Sequence, residues 1–147
     1  MLALDTNVLV YAEGVGDPAR IAAARDLLEA ISRKDVVIPV QALAELAHVL
    51  ARKTPLALPD IRMRAEGWAG LGRLAPTLES TFSSALSLAA GRQLQIFDAI
   101  VLVASAEAGC RLLLSEDMQD GFVWAGVTVA NPFAAKRHPM LLDLLAT

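Results

Sequence analysis

Residues 1–12 read MLALDTNVLVYA. Leu2 to Asp5 has the look of a short strand buried on both faces, yet its last residue is a carboxylate. Thr6 and Asn7 follow before apolar residues resume. A charge in such a place is costly unless something balances it. The fold and the chemistry both turn on what that something is.

Outward from this stretch, short apolar runs alternate with longer helical patterns, as in an α/β fold with a mainly parallel sheet. Asp17 and Pro18 open a helix whose stripe is Ile21, Ala24, Leu27, Leu28 and Ile31. Val36 to Val40 (VVIPV) reads as a second buried strand. A helix follows from about Gln41 to Lys53, with Leu43, Leu46, Ala47 and Leu50 inward. After the break TPLALP, a helix runs from Pro59–Asp60 to about Gly70. Arg73 to Glu79 (RLAPTLE) is a third strand that Pro76 puts at an edge. A helix from Ser80 to Ala90 stops at Gly91. IFDAIVLVASAEAG, residues 96–109, is a helix apolar nearly all round and therefore buried. RLLLSED (111–117) and VTVAN (127–131) supply strands four and five. The pattern predicts one domain over 1–147, a three-layer α/β/α sandwich on five strands. Function is expected at the carboxyl ends of the strands, where their order reverses.

Composition narrows the classes. Hydrophobic residues make up 55% of the chain, and mean hydropathy is +0.48. The longest apolar stretch, Ala99 to Ala106, falls well short of the roughly 18 to 20 residues of a membrane span. Asp5 interrupts the opening too early for a signal peptide. The excess apolar surface is expected in a buried sheet and in a subunit interface. A single cysteine, Cys110, excludes an internal disulfide and a cysteine-type zinc site, and fits a reducing cytoplasm. Net charge is −3, so bulk electrostatics cannot hold nucleic acid here. Such a role needs a local basic rim or bound cations.

Four acids fall where the predicted topology collects function. Asp5 ends strand one, and Asp117 follows strand four after Ser115 and Glu116. Asp98 opens the apolar helix, and Glu45 is the sole acid of the helix after strand two, beside core position Leu46. Each alone has a mundane reading as a cap, turn, loop or solvated residue, and Asp120 reads as a turn residue before Gly121. Together they would repel one another without a cation. Clustered carboxylates in an apolar domain suit a hard divalent ion, Mg²⁺ or Mn²⁺. His48, alone on a helix, and His138, in the tail, do not suggest zinc. Such an ion suits phosphodiester hydrolysis, and it turns an acidic cleft into one that accepts a phosphate backbone. Arg52, Lys53, Arg92 and Arg111 are candidates for outer phosphate contacts.

LALDTNVLVYA, the Glu45-bearing VQALAELAHVLARK, IFDAIVLVASAEAGCRLLLSEDMQDG and the closing VTVANPF together resemble the PIN-domain family, above all its VapC-type toxins of bacterial toxin–antitoxin pairs. The resemblance covers almost the whole chain in the family's order. It implies a parallel sheet ordered 3-2-1-4-5 and a metal-dependent endoribonuclease. It places the acidic quartet on Asp5, Glu45, Asp98 and Asp117, with Asp5, Asp98 and Asp117 as metal ligands. Thr6 or Asn7 would orient Asp5 or the attacking water, Ser115 holds the small hydroxyl position, and Asp120 is an outer acid. The resemblance further implies a cognate antitoxin, a homodimer and a structured RNA substrate such as transfer or ribosomal RNA. Trp68, Trp124 and Met63 are candidates for the protein-contacting surfaces, or for the core.

Rival readings fit less well. An aspartyl-phosphate phosphatase needs a second acid two residues after the first, and that position is Asn7. Dinucleotide binding needs a glycine-rich turn after strand one, whereas GVGD comes late and lacks the third glycine. A non-catalytic interaction module that keeps its metal ligands for stability remains as the alternative from a different class.

Overall fold

The computed structural model describes residues 1–32 and 34–147. Runs of three or four mostly apolar residues become the inner strands because every side chain in them is buried: β1 (Leu2–Leu4), β2 (Val36–Pro39), β4 (Leu112–Leu114) and β6 (Val127–Ala130). Continuous burial of this kind marks a sheet covered on both faces. β3 (Arg73–Ala75) lies at one edge with Pro76 just beyond it, as the proline requires.

With β5 (Val123–Trp124) at the far edge, the sheet order is β3-β2-β1-β4-β6-β5, and every pairing except the last is parallel. The five predicted strands therefore pair in the expected order. The expectation of five strands is corrected to six by β5 (Val123–Trp124), which pairs antiparallel with β6. It forms because Ala125 (φ 47°) and Gly126 (φ 81°) make a two-residue hairpin turn with both residues left-handed. Ala-Gly is a poor signal for that turn, since alanine resists positive φ.

Among the described residues, six helices lie between strands, α1 (Thr6–Ala12), α2 (Pro18–Ile31), α3 (Val40–Lys53), α4 (Leu58–Leu71), α5 (Glu79–Arg92) and α6 (Ile96–Glu107), and α7 (Pro139–Ala146) follows the last strand. The chain steps outward from β1 to β2 to β3 and then returns past β1 to β4. Right-handed crossovers therefore put α1 to α4 on one face and α5 with α6 on the other. Asp17 caps α2 by accepting from the Arg20 amide, with Pro18 in the first turn, as predicted. α5 runs past Gly91 and ends where Gln93 turns left-handed (φ 56°), which corrects the predicted stop.

α1 is absent from the sequence reading. Its residues, TNVLVYA, are rich in β-branched side chains that disfavour helix. It forms because Asp5 caps it and because Val8 and Leu9 bury completely. α6 carries seven consecutive buried residues, Ala99 to Ser105, through the centre of the molecule. No helix among the described residues is long and apolar enough to cross a membrane.

Two backbone positions test this account. A Cβ at Gly72 would stand 2.8 Å from the Val36 carbonyl oxygen, so Gly72→Ala is expected to cost about 1–3 kcal/mol in urea unfolding. Ala125→Asn, which tolerates the left-handed turn, is expected to stabilise by up to about 1 kcal/mol in the same assay.

Candidate active site

β1 and β4 are neighbours, and the chain leaves them in opposite directions. Their carboxyl ends therefore flank an open crevice. Asp5 sits at its floor, 2% exposed, between the end of β1 and the start of α1. Its amide donates to the Leu114 carbonyl (3.0 Å), which ties it to β4. One carboxylate oxygen accepts from the Thr6 amide at 2.7 Å, and the other from the Ser115 hydroxyl at 2.6 Å.

Asn7 is the connector. Its amide nitrogen donates to Asp117 Oδ2 (3.1 Å) and to Asp5 Oδ2 (3.4 Å), while its oxygen accepts from the Glu116 amide (3.2 Å). One side chain thus spans two acids and fixes the loop after β4. Ser115 accepts from the Asp117 amide (3.2 Å) and holds that loop from beneath. On the other side, the Thr6 hydroxyl donates to Glu45 Oε2 at 3.1 Å. Glu45 stands on the half-buried border of α3, next to fully buried Leu46.

Asp98 joins from the first turn of α6. Partial burial pushes its carboxyl up to about 6, and the negative charges of Asp5, Asp117 and Glu45 push the same way. Asp5 and Glu45 are raised too, each chiefly by burial, with neighbouring acids adding and hydrogen bonds from Ser115 and Thr6 opposing. The structure thus brings Asp5, Glu45, Asp98 and Asp117 into one electrostatic cluster, with Thr6, Asn7 and Ser115 bonded among them. Asn7, standing two residues after Asp5, donates amide hydrogens and has no titrating proton, which removes the general acid a phosphatase would need.

Asp120 stands apart. Its carboxylate accepts from the Asn131 amide at 2.7 Å and fastens the loop after β6. Of the predicted cations, Lys53 lines the crevice. Arg111 lies at the amino end of β4, where its amide donates to the Met1 carbonyl, so it is at the wrong end of the sheet. Arg92 lies in a groove between α5 and Trp124. Trp68 belongs to the core, with its indole nitrogen donating to Glu13 (2.7 Å), while Met63 is 69% exposed.

Other features escaped the sequence reading. Arg20 pairs with Glu116 at 2.8 Å and lies over the Phe133 ring. Tyr11 meets that ring edge-on. Burial and the Glu116 carboxylate push the Tyr11 phenol up to about 12, so it stays protonated. None of these residues has a motif signal, because their partners lie about 100 residues away.

Among the described residues, no group of three or more His, Cys, Asp or Glu stands as a ready-made metal-holding cluster. The donor chemistry nevertheless fits a hard divalent ion. All donors are carboxylate oxygens, their mutual repulsion is relieved by a cation, and each oxygen bound to one hydrogen-bond donor keeps a free lone pair. Mg²⁺ commonly keeps several waters, so it needs only one or two carboxylates as direct ligands.

The fold and this cluster define a class, and the comparisons agree: the PIN domain family matches residues 2–119, and the chain belongs to that family. It is 33% identical over 129 residues to ribonuclease VapC7 of Mycobacterium tuberculosis, covering 80% of this chain and 82% of the relative. Solved structures share the fold. VapC20 of Mycobacterium tuberculosis, a sarcin–ricin-loop-cleaving toxin, superposes with a TM-score of 0.65 at 17% identity over 80% of this chain and 90% of its own. FitAcB of Neisseria gonorrhoeae gives 0.66 at 19% identity, covering 90% and 99%. A toxin–antitoxin complex from Klebsiella pneumoniae gives 0.66 at 17% identity, covering 90% and 98%.

The raised carboxyls set a pH dependence. Between 3.8, the ordinary value, and about 6, folded Asp98 keeps a proton that the unfolded chain has released. Metal-free stability therefore falls as pH rises through that window and stays low above it. Asp98→Asn is expected to raise metal-free stability at pH 7 by on the order of 1 kcal/mol, discounted for solvent screening. The gain should vanish near pH 4 in thermal melts.

Proposed function

We propose that this chain is a divalent-metal-dependent endoribonuclease and the toxin of a toxin–antitoxin pair. The observation that carries the reading is the convergence of Asp5, Glu45, Asp98 and Asp117 at the β1/β4 crevice, each from a different segment. Asp5, Asp98 and Asp117 would hold Mg²⁺ or Mn²⁺. The ion, when bound, supplies charge neutralisation at the phosphate and makes water a stronger acid.

The protein's own groups do the rest. Asp5 is pre-organised, because the Thr6 amide and the Ser115 hydroxyl fix both of its oxygens before substrate arrives. Asn7 sets the spacing of Asp117 from Asp5. Glu45, steadied by Thr6 and raised above its ordinary value by burial, accepts the proton of the attacking water. Water oxygen bonds to phosphorus, one ester P–O bond breaks, and the leaving oxygen takes a proton from solvent as Glu45 returns its own to solvent, so the products are a phosphate monoester and a free hydroxyl. Asp120 serves the loop after β6 rather than the reacting atoms.

The similarity to VapC7 supports RNA as the substrate. Similarity in fold to the toxin of a toxin–antitoxin complex supports a protein antitoxin as partner. Leu58 and Met63 on α4, with Phe82 and Leu86 on α5, leave apolar surface for an antitoxin and a second copy of this chain to cover.

Incubated with structured RNA, the purified protein is expected to cut in Mg²⁺ or Mn²⁺ and not in EDTA. Asp5→Asn and Asp98→Asn should each lower the rate roughly a hundredfold or more while melting no earlier than the wild type. Equal rates in EDTA, or an unimpaired Asp98→Asn, would refute the reading. Induction without a partner should arrest host growth, and Asp5→Ala should relieve the arrest.

A further inference from the structure

α6 is buried along most of its length, with one exposed apolar side chain. Ile96 packs against the core and Ala99 to Ser105 are enclosed, yet Phe97 is 52% exposed. Its ring lines the same crevice, of about 540 Å³, as Thr6, Asn7, Glu45 and Asp117. No packing requirement explains an aromatic in water at that position. Phe97 immediately precedes Asp98, so the ring is held by the backbone beside the acidic cluster.

We propose that Phe97 is a stacking platform for an unpaired base of the RNA, next to the phosphate that is cut. The proposal rests on the ribonuclease reading and adds to it a residue of this chain that contacts a base. Two observations support it. A net charge of −3 leaves little bulk attraction for a polyanion, so contacts beyond bulk charge have to add to affinity, and base–aromatic stacking is one that sequence-tolerant single-strand binding uses. The facing wall, α3, carries His48, Val49 and Lys53 along the crevice from Glu45. Glu45 to Lys53 spans about 12 Å of helix, enough to follow a backbone away from the acids toward a cation. A base inside a duplex is stacked on both faces and has none to offer Phe97, whereas a splayed loop base does.

Phe97→Ala, Phe97→Leu and Phe97→Trp test this, because the side chain is exposed and all three are expected to melt with the wild type. Leucine keeps apolar bulk and loses the π-face. With a fluorogenic unstructured oligoribonucleotide in Mg²⁺, Ala and Leu should raise KM about tenfold and leave the pH profile unchanged, while Trp retains wild-type KM. An abasic scan of that oligonucleotide should find one position whose loss costs the wild type about as much as Phe97→Ala and costs Phe97→Ala nothing more.

Fluorescence anisotropy in an Asp98→Asn background reads the same base dependence without cleavage. Failure of the nuclease reading (no cut RNA) is therefore distinguishable from failure of stacking. A Leu variant equal to wild type, an abasic scan without a sensitive position, or duplex RNA cut as well as looped RNA would overturn the proposal. So would a Phe97→Ala variant that loses self-association while keeping RNA affinity, which would assign the ring to a protein contact.

Discussion

Like charges crowded at the end of a buried sheet are the constraint around which the rest of this molecule is arranged. Asp5 is enclosed, Asp98 and Glu45 are half-enclosed, and beyond burial the charges of Asp5 and Asp117 push both of the latter up, with Glu45 adding to the effect on Asp98. A fold selected for stability alone would not gather them. The surrounding polar residues manage the tension without removing it. Thr6 and Ser115 bond to carboxylate oxygens, and the Asn7 amide stands between two acids, but none of them carries a positive charge. Arg20, a nearby cation, pairs with Glu116 instead. No basic side chain of the described residues is among the hydrogen-bond partners of these acids, so their negative charge is left uncompensated by the bonds that position them.

The fold supplies that arrangement economically in sequence. β1 lies between β2 and β4, so the strand ends that carry Asp5 and Ser115 meet at the reversal point. α3 leaves β2 at the same end of the sheet, and α6 starts there before running back to feed β4. Four segments therefore deliver one acid each, through connections that are separately dictated by the hydrophobic pattern. The polar bonds at the site are correspondingly long in sequence: Asn7 to Asp117 and Thr6 to Glu45 both join segments far apart in the chain.

Much of this was legible beforehand, and the reasons are local. Continuous apolar runs such as Leu112–Leu114 and Val127–Ala130 can only be inner strands, and Asp17–Pro18 is an unmistakable helix start. The acids stood out because carboxylates are out of place at the ends of such runs. What escaped reading depended on tertiary context. α1 is a helix made of strand-preferring residues, held by the Asp5 cap and by burial of Val8 and Leu9. β5 hangs on an alanine in a left-handed turn. The Arg20–Glu116 pair and the exposed ring of Phe97 have no signature at all, since a periodic apolar pattern treats Phe97 as one more core residue.

The central claim is that Asp5, Asp98 and Asp117 hold a divalent ion beside Glu45, and paramagnetic broadening by Mn²⁺ in NMR spectra of the isotope-labelled protein tests it most directly. At substoichiometric Mn²⁺, the amides of Thr6, Asn7, Leu46, Ala99 and Met118 should broaden first and together, and excess Mg²⁺ should restore them. Broadening that begins elsewhere, or that spreads evenly over the acidic surface, would contradict the account.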